Sequence, residues 1–299
     1  MPKLLLGLML LCCMPALSQK TDRKLEKMLT EAIKGFGGQI GIYVKYLKSG
    51  KTAAINADTI FPTASIVKIP ILMGITHQVM NGRYTYDSVV SYDTSYLYRG
   101  EDILGEFKNG GNIRIKKLIM LMLTTSDNTA SLWLQALSGT GTRINQIMDS
   151  LGYRHTRVNS RTPGRELSRS QYGWGQTTPR EIANLMESIY RNQVYTPYYC
   201  DRMLRSLGRN YWDENEGISV IPPYIEVFSK NGCINQTRNE IMLVNAPSGP
   251  YILSIFTKNN KDQSWKHSNE AWTLTRKIST LLWNHFEPRD KWVPPRFSL

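Results

Sequence analysis

Ser65-Ile66-Val67-Lys68 is the stretch on which the reading of this chain turns. It follows Phe61-Pro62-Thr63-Ala64 and runs into Ile69-Pro70, an apolar segment that predicts a helix over residues 65–74. Residues three apart are neighbours on a helix, so Lys68 returns one turn later to the face of Ser65. A lysine withdrawn from water loses its proton more readily, and a neutral amine beside a serine can accept the hydroxyl proton. The start of a helix also offers unpaired N–H groups to a developing oxyanion. Alone, the string is weak. Ser-x-x-Lys is expected roughly once by chance in a chain of this length, and a serine cap followed by a surface lysine would explain it.

Two further strings change the odds. Ser126-Asp127-Asn128 begins 61 residues after Ser65, and Lys230-Asn231-Gly232 begins 104 residues after Ser126. Together they supply a nucleophile, a base, a proton relay and an anion clamp without any histidine. His77, His155, His267 and His285 lie outside every string, which leaves no basis for a histidine-based triad. No Gly-x-Ser-x-Gly elbow occurs, and no residues stand at metal-ligand spacing.

In order and spacing the three strings resemble the S-x-x-K, S-D-N and K-T-G strings of the class A β-lactamases and the penicillin-binding proteins. Asn56-Ala57-Asp58 ahead of the serine and Thr177-Thr178-Pro179-Arg180 extend the likeness over nearly the whole chain. The second of these favours class A, as a divergent branch. The resemblance implies an α+β, three-layer αβα fold of the DD-peptidase/β-lactamase type, and a monomeric serine β-lactamase that needs no cofactor. It assigns Ser65 as nucleophile, Lys68 as its base, Ser126 as proton shuttle to the leaving group and Asn128 as a contact to the substrate amide. Lys230 would orient Ser126 and attract the substrate carboxylate, and Asp127 would hold the turn. The Cys233 and Ser65 N–H groups would form the oxyanion hole. Gly232 would let a substrate lie along the strand edge. Arg238 falls where the family places a carboxylate-binding arginine.

Two departures stand out. Asn231 replaces the usual hydroxyl residue between Lys and Gly, although its amide can still donate to a carboxylate. In the Ω-loop, residues 157–176, an ungapped count back from Thr177-Thr178-Pro179 puts Thr162 where the family has its water-activating glutamate, and Glu166 where it has an asparagine. Glu166 is the single acid of this loop. It is either a general base reached by a rearranged loop, or a solvated residue among Arg161, Arg165 and Arg169. The open base position keeps two rivals in view: a D,D-peptidase or esterase acting on cell-wall peptides or esters, and a receptor that is acylated by β-lactams and never releases them.

The bulk properties agree with an exported globular enzyme. The 299 residues, 41% hydrophobic and 20% charged, suit one large domain or two closely packed ones. Met1-Pro2-Lys3, the apolar residues 4–11 and Ala16-Leu17-Ser18 read as a signal peptide over 1–18. Lipidation at Cys12 is disfavoured by the bulky Leu11, and the apolar run is too short to span a bilayer. The expected destination is periplasmic or secreted. The remaining 19–299 form the catalytic domain, with a sheet lobe in 19–63 and 215–299 and a helical lobe in 64–214. The basic balance, +13 for the whole chain, has no dense stripe interleaved with aromatics, so it reads as a solvated surface rather than a nucleic-acid site. Whether Cys200 and Cys233 pair stays open. Amphipathic helices are predicted at 21–34 and 272–286, strands at 40–47, 52–56, 224–229, 240–245 and 251–257, and helices at 115–124 and after Thr178. Two early and three late strands must join in one sheet around a helical block.

Overall fold

Asp22 sets the start of the fold: its carboxylate accepts the Leu25 N–H at 3.0 Å and caps α1 (Arg23–Ala32), whose Leu25 and Leu29 are buried. These details come from a computed structural model in which residues 20–100, 102–208 and 210–294 are described. The expected signal peptide and Cys12 lie outside the described residues. Among those described, no helix is long and apolar enough to cross a membrane.

A hairpin follows, β1 (Gln39–Tyr46) with β2 (Thr52–Ile55), and then the short β3 (Phe61–Pro62). The predicted helix at Ser65 is in fact a tight 3₁₀ turn, Ala64–Val67, which hands over to α2 (Lys68–Met80). Ile69, Ile71, Leu72, Met73 and Ile75 bury every face of that helix, as an all-round apolar helix requires. A ribbon of β4 (Val89–Ser91) and β5 (Asn112–Arg114) leads to α3 (Ile115–Thr124), α4 (Asn128–Leu137) and α5 (Thr140–Ser150). Then come β6 (Arg157–Val158), α6 (Glu166–Tyr172) and β7 (Gly175–Thr177). Next is α7 (Pro179–Tyr190), which starts as its sequence predicts, with Thr178 Oγ1 accepting from Glu181 N at 3.1 Å and Pro179 in the first turn. α8 (Pro197–Leu207) closes the helical block.

The chain then returns as β8 (Val227–Ile234), β9 (Thr237–Val244) and β10 (Tyr251–Lys258), and ends in α9 (Glu270–Phe286). The main sheet is antiparallel throughout, in the order β2-β1-β10-β9-β8. Alternation along β10 separates two cores. Leu253 and Ile255 face α1 and α9, whereas Ile252 and Phe256 face the helical block. The sheet is thus sandwiched, giving the expected three-layer αβα arrangement. β8 ends up at its edge, against the turn that carries Ser65.

Candidate active site

Three elements converge on one cleft of about 500 Å³: the Ser65 turn, the α3–α4 junction at Ser126, and the edge strand β8. The first two deliver their serines on strained backbone. Ala64 and Ser126 both adopt left-handed conformations, with φ of 45° and 59°. Such positions cost on the order of 1–3 kcal/mol each in non-glycine residues and persist where their surroundings hold them. Asp127 does that holding at Ser126. Its carboxylate accepts Ala130 N at 2.7 Å, capping α4, and Leu104 N at 2.8 Å, while its own N–H donates to Leu121 O at 3.1 Å. The expected structural role of Asp127 matches this geometry.

Lys68 sits fully buried beneath the two serines. Its Nζ lies 3.1 Å from Ser65 Oγ, 2.9 Å from Ser126 Oγ and 2.9 Å from Asn128 Oδ1, and it also contacts the Ser126 carbonyl oxygen. Burial drives its pKa well below the ordinary lysine value. The charge of Lys230 pushes the same way, and Asp102 and Asp127 oppose it in part. The Asn128 and Ser126 carbonyl oxygens can only accept, so they take two N–H bonds. The third position on nitrogen faces both hydroxyls, and it is a lone pair when the amine is neutral.

Lys230 is equally buried but engaged elsewhere. Its Nζ donates to Asn231 O and Asn231 Oδ1, each at 3.0 Å. Orientation of Ser126, expected of Lys230, is provided by the Lys68 contact. Burial lowers the Lys230 pKa to about 8, against opposition from Cys233, Glu216 and Glu240. The Asn231 amide nitrogen donates to Trp212 O at 2.9 Å and to Glu216 Oε1 at 2.7 Å. Its two protons are therefore used within the protein rather than offered to an anion. Glu216 and Glu240 are both buried, which raises both pKa values, Glu240 to about 8.

Gly232 stands where β8 comes closest to the Ser65 turn. A Cβ there would meet Thr63 O at 2.4 Å and Ser65 N at 2.9 Å. The absent side chain lets β8 seat against the Ser65 turn. That seating brings Cys233 to the cleft wall beside Ser65. The Cys233 thiol is pushed up to about 12 by burial and stays protonated. Cys200 and Cys233 are both free.

Arg238 and Glu166 lie apart from this cluster. Arg238 is 1% exposed, held between Trp265 and Trp272 with its guanidinium carbon 4.3 and 4.7 Å from their ring centres. It donates to the carbonyls of Thr237 and Ser264, each at 2.9 Å, and to that of Ile234. The carboxylate-binding placement expected of Arg238 is not what the structure shows, because carbonyls at the β8–β9 turn take up the guanidinium. Glu166 is the exposed first residue of α6, and its carboxylate accepts Gly164 N at 3.1 Å. Thr162 is buried and donates Oγ1 to Ser160 O at 2.9 Å. Neither residue lines the cleft.

The cleft also contains groups that the motifs did not single out. Asp102 accepts Thr129 N at 2.7 Å and Thr129 Oγ1 at 2.9 Å. Tyr98, Trp212, Glu214, Glu216, Trp265 and Trp272 complete the wall. A signal for Trp212, Glu214 and Glu216 was available: Tyr211-Trp212-Asp213-Glu214-Asn215-Glu216 is a dense run of aromatic and acidic residues in a loop. Nothing local marks Asp102.

A sequence profile of the Beta-lactamase enzyme family matches residues 24–286. The β-lactamase VEB-1 of Pseudomonas aeruginosa is 20% identical over 271 residues, covering 86% of this chain and 89% of its own. A β-lactamase of Streptomyces albus G is 29% identical over 272 residues, covering 86% and 84%. Among solved structures, a PBP-A variant determined as an acyl-enzyme complex with penicillin G has a TM-score of 0.80 at 23% identity, over 90% of this chain and 98% of that one. A β-lactamase from Chitinophaga pinensis DSM 2588 has a TM-score of 0.79 at 19% identity, over 88% and 99%. These structural likenesses concern the fold.

Proposed function

The chain belongs to the Beta-lactamase enzyme family, and from that premise we propose that it is a serine β-lactamase-type hydrolase acylated at Ser65. The observation that carries this reading is Lys68 Nζ, 3.1 Å from Ser65 Oγ and 2.9 Å from Ser126 Oγ. Neutral Lys68 takes the Ser65 proton as Oγ bonds to the lactam carbonyl carbon. The N–H groups of Ser65 and Cys233 receive the oxyanion. The C–N bond then breaks, and the ring nitrogen takes its proton from Ser126, which is resupplied by Lys68. Water later cleaves the ester and restores the serine.

Deacylation is the slow half of this cycle. Glu166 is exposed and bonded to Gly164 N, and no acid of the 157–176 segment lines the cleft. This supports an acyl-enzyme that accumulates, and it keeps the peptidase, esterase and receptor readings in play for the physiological substrate. The charged and apolar leader with Ala16-Leu17-Ser18 supports export.

Mixing the protein with a chromogenic cephalosporin tests the reading. The expected trace is a burst of one equivalent followed by slow turnover, with the burst lost in Lys68→Ala. Absence of both burst and turnover in the parent protein would refute it.

A further inference from the structure

We propose that Glu216 is a positioning residue for the Asn231 end of the cleft. It holds the Asn231 side-chain amide in the one orientation that keeps the Lys230 ammonium in place, with a donor to spare for an anionic group on the acyl donor. The inference rests on the acyl-enzyme reading and gives a role to one more residue of that same site.

Asn231 carries an amide that could face either way. Its Oδ1 accepts from Lys230 Nζ at 3.0 Å, while its Nδ2 donates to Trp212 O at 2.9 Å and to Glu216 Oε1 at 2.7 Å. Turned about, the amide would set its N–H groups against an ammonium and its oxygen against two acceptors. Trp212 O takes one of the two N–H groups and Glu216 the other, so the orientation is fixed from behind. A carboxyl oxygen accepts from the amide in either protonation state, so the hold does not depend on whether Glu216 is charged.

The gain is at Lys230. Its Nζ donates to Asn231 O and Asn231 Oδ1, each at 3.0 Å, and its third N–H has no acceptor among the described residues. Asn231 lines the cleft together with Ser65 and Ser126. An ammonium with one unspent donor at that end suits an anionic group on the substrate, since charge-assisted hydrogen bonds are the strong ones. With the amide reversed, the ammonium loses one acceptor and meets an opposing dipole.

Glu216 is anchored for such a task. It is 5% exposed, and its Oε2 accepts Asn215 N at 3.1 Å. The residues on either side are tied to other elements. Asn215 O accepts from Arg276 of α9 at 2.7 Å, Gly217 N donates to Glu240 of β9 at 2.7 Å, and Gly217 O accepts Ser279 Oγ of α9 at 2.7 Å. A loop residue is thereby fixed against the sheet and the last helix, and its carboxyl cannot drift from Asn231.

Benzylpenicillin and its methyl ester test this, because only the acid presents an anion. The measurement is the second-order rate of Ser65 acylation by each, read by intact-mass spectrometry. Glu216→Leu should cut the acid-to-ester rate ratio at least about tenfold, while the ester rate changes less than about threefold. Glu216→Gln, which keeps an oxygen for Asn231, should hold the ratio within about threefold of the parent's. Asn231→Ala should reproduce the loss seen in Glu216→Leu, and the double variant should lose no more than either, as residues acting as one unit do. Losses shared equally by acid and ester, or losses that add in the double variant, overturn the inference and leave the acyl-enzyme reading standing. So does an unchanged ratio in Asn231→Ala, which decides the question where Glu216→Leu does not fold. No labelling of the parent protein by either probe overturns both.

Discussion

The Lys68 amine is held by acceptors that leave one position directed at two hydroxyls, and its protonation state decides whether Ser65 can be activated. Its competent form is neutral, so acylation rises as pH rises through the lowered Lys68 pKa. The positive charge of Lys230, present below about pH 8, helps keep that pKa low. Removing the charge lets the Lys68 pKa climb. In Lys230→Met the rising limb of the acylation–pH profile should therefore move to higher pH, read from acylation rates across the pH range in which the protein stays folded. An unmoved limb would show that the two lysines are not coupled. Arg238 gives the opposite expectation. Because carbonyls and two indole rings hold it, Arg238→Ala should lower stability by roughly 1–3 kcal/mol through unsatisfied buried groups, while penicillin acylation changes less than about threefold. Denaturant melts together with labelling rates check both halves. Glu166→Gln should leave the lifetime of the acyl-enzyme unchanged, since that carboxylate bonds only within its own loop.

At the scale of elements, strand β8 and the Ser65 turn form a backbone-to-backbone contact that only glycine permits. Gly232→Ala puts a methyl 2.4 Å from Thr63 O, so strand or turn must shift. Overpacking of this kind costs typically about 1–3 kcal/mol. A lower melting temperature and a larger loss of acylation should appear together, because the displaced turn carries the nucleophile. This contact also shows what local sequence could and could not reveal. Helix α7 was legible in its cap and proline, and α3 in its apolar run. The strand read at 224–229 starts later and runs further, over Val227–Ile234. Pairing with β9 carries it on to Ile234, a tertiary effect that outweighs propensity. The turn at Ala64–Val67 was read as the start of a helix, since a 3₁₀ turn and an α-helix share the i, i+3 proximity on which that reading rested.

Across the whole molecule, the sheet divides two cores, and only one of them lies on the side of the catalytic cleft. Leu253 belongs to the core beneath α1 and α9. Leu253→Ala should cost about 2–5 kcal/mol of stability while Ser65 still labels at an undiminished rate well below the melting temperature. The strings at Ser65, Ser126 and Lys230 were legible in their order and spacing, and the family likeness they carry pointed to the sheet and helical block around them. The acidic and aromatic wall was harder to read. Asp102, Glu216 and Trp272 come from three distant segments and meet only through the packing of β8, α9 and the loops between. The committed state of Arg238 was invisible for the same reason, as its partners come from the β8–β9 turn and Ser264. The central claim, that Ser65 forms the acyl-enzyme, is tested most directly by intact-mass spectrometry with benzylpenicillin, followed by peptide mapping, on the parent protein and Ser65→Ala. One adduct on the peptide containing Ser65, absent from a folded Ser65→Ala, is the predicted result; an adduct that persists in the variant, or that maps to another residue, would contradict it.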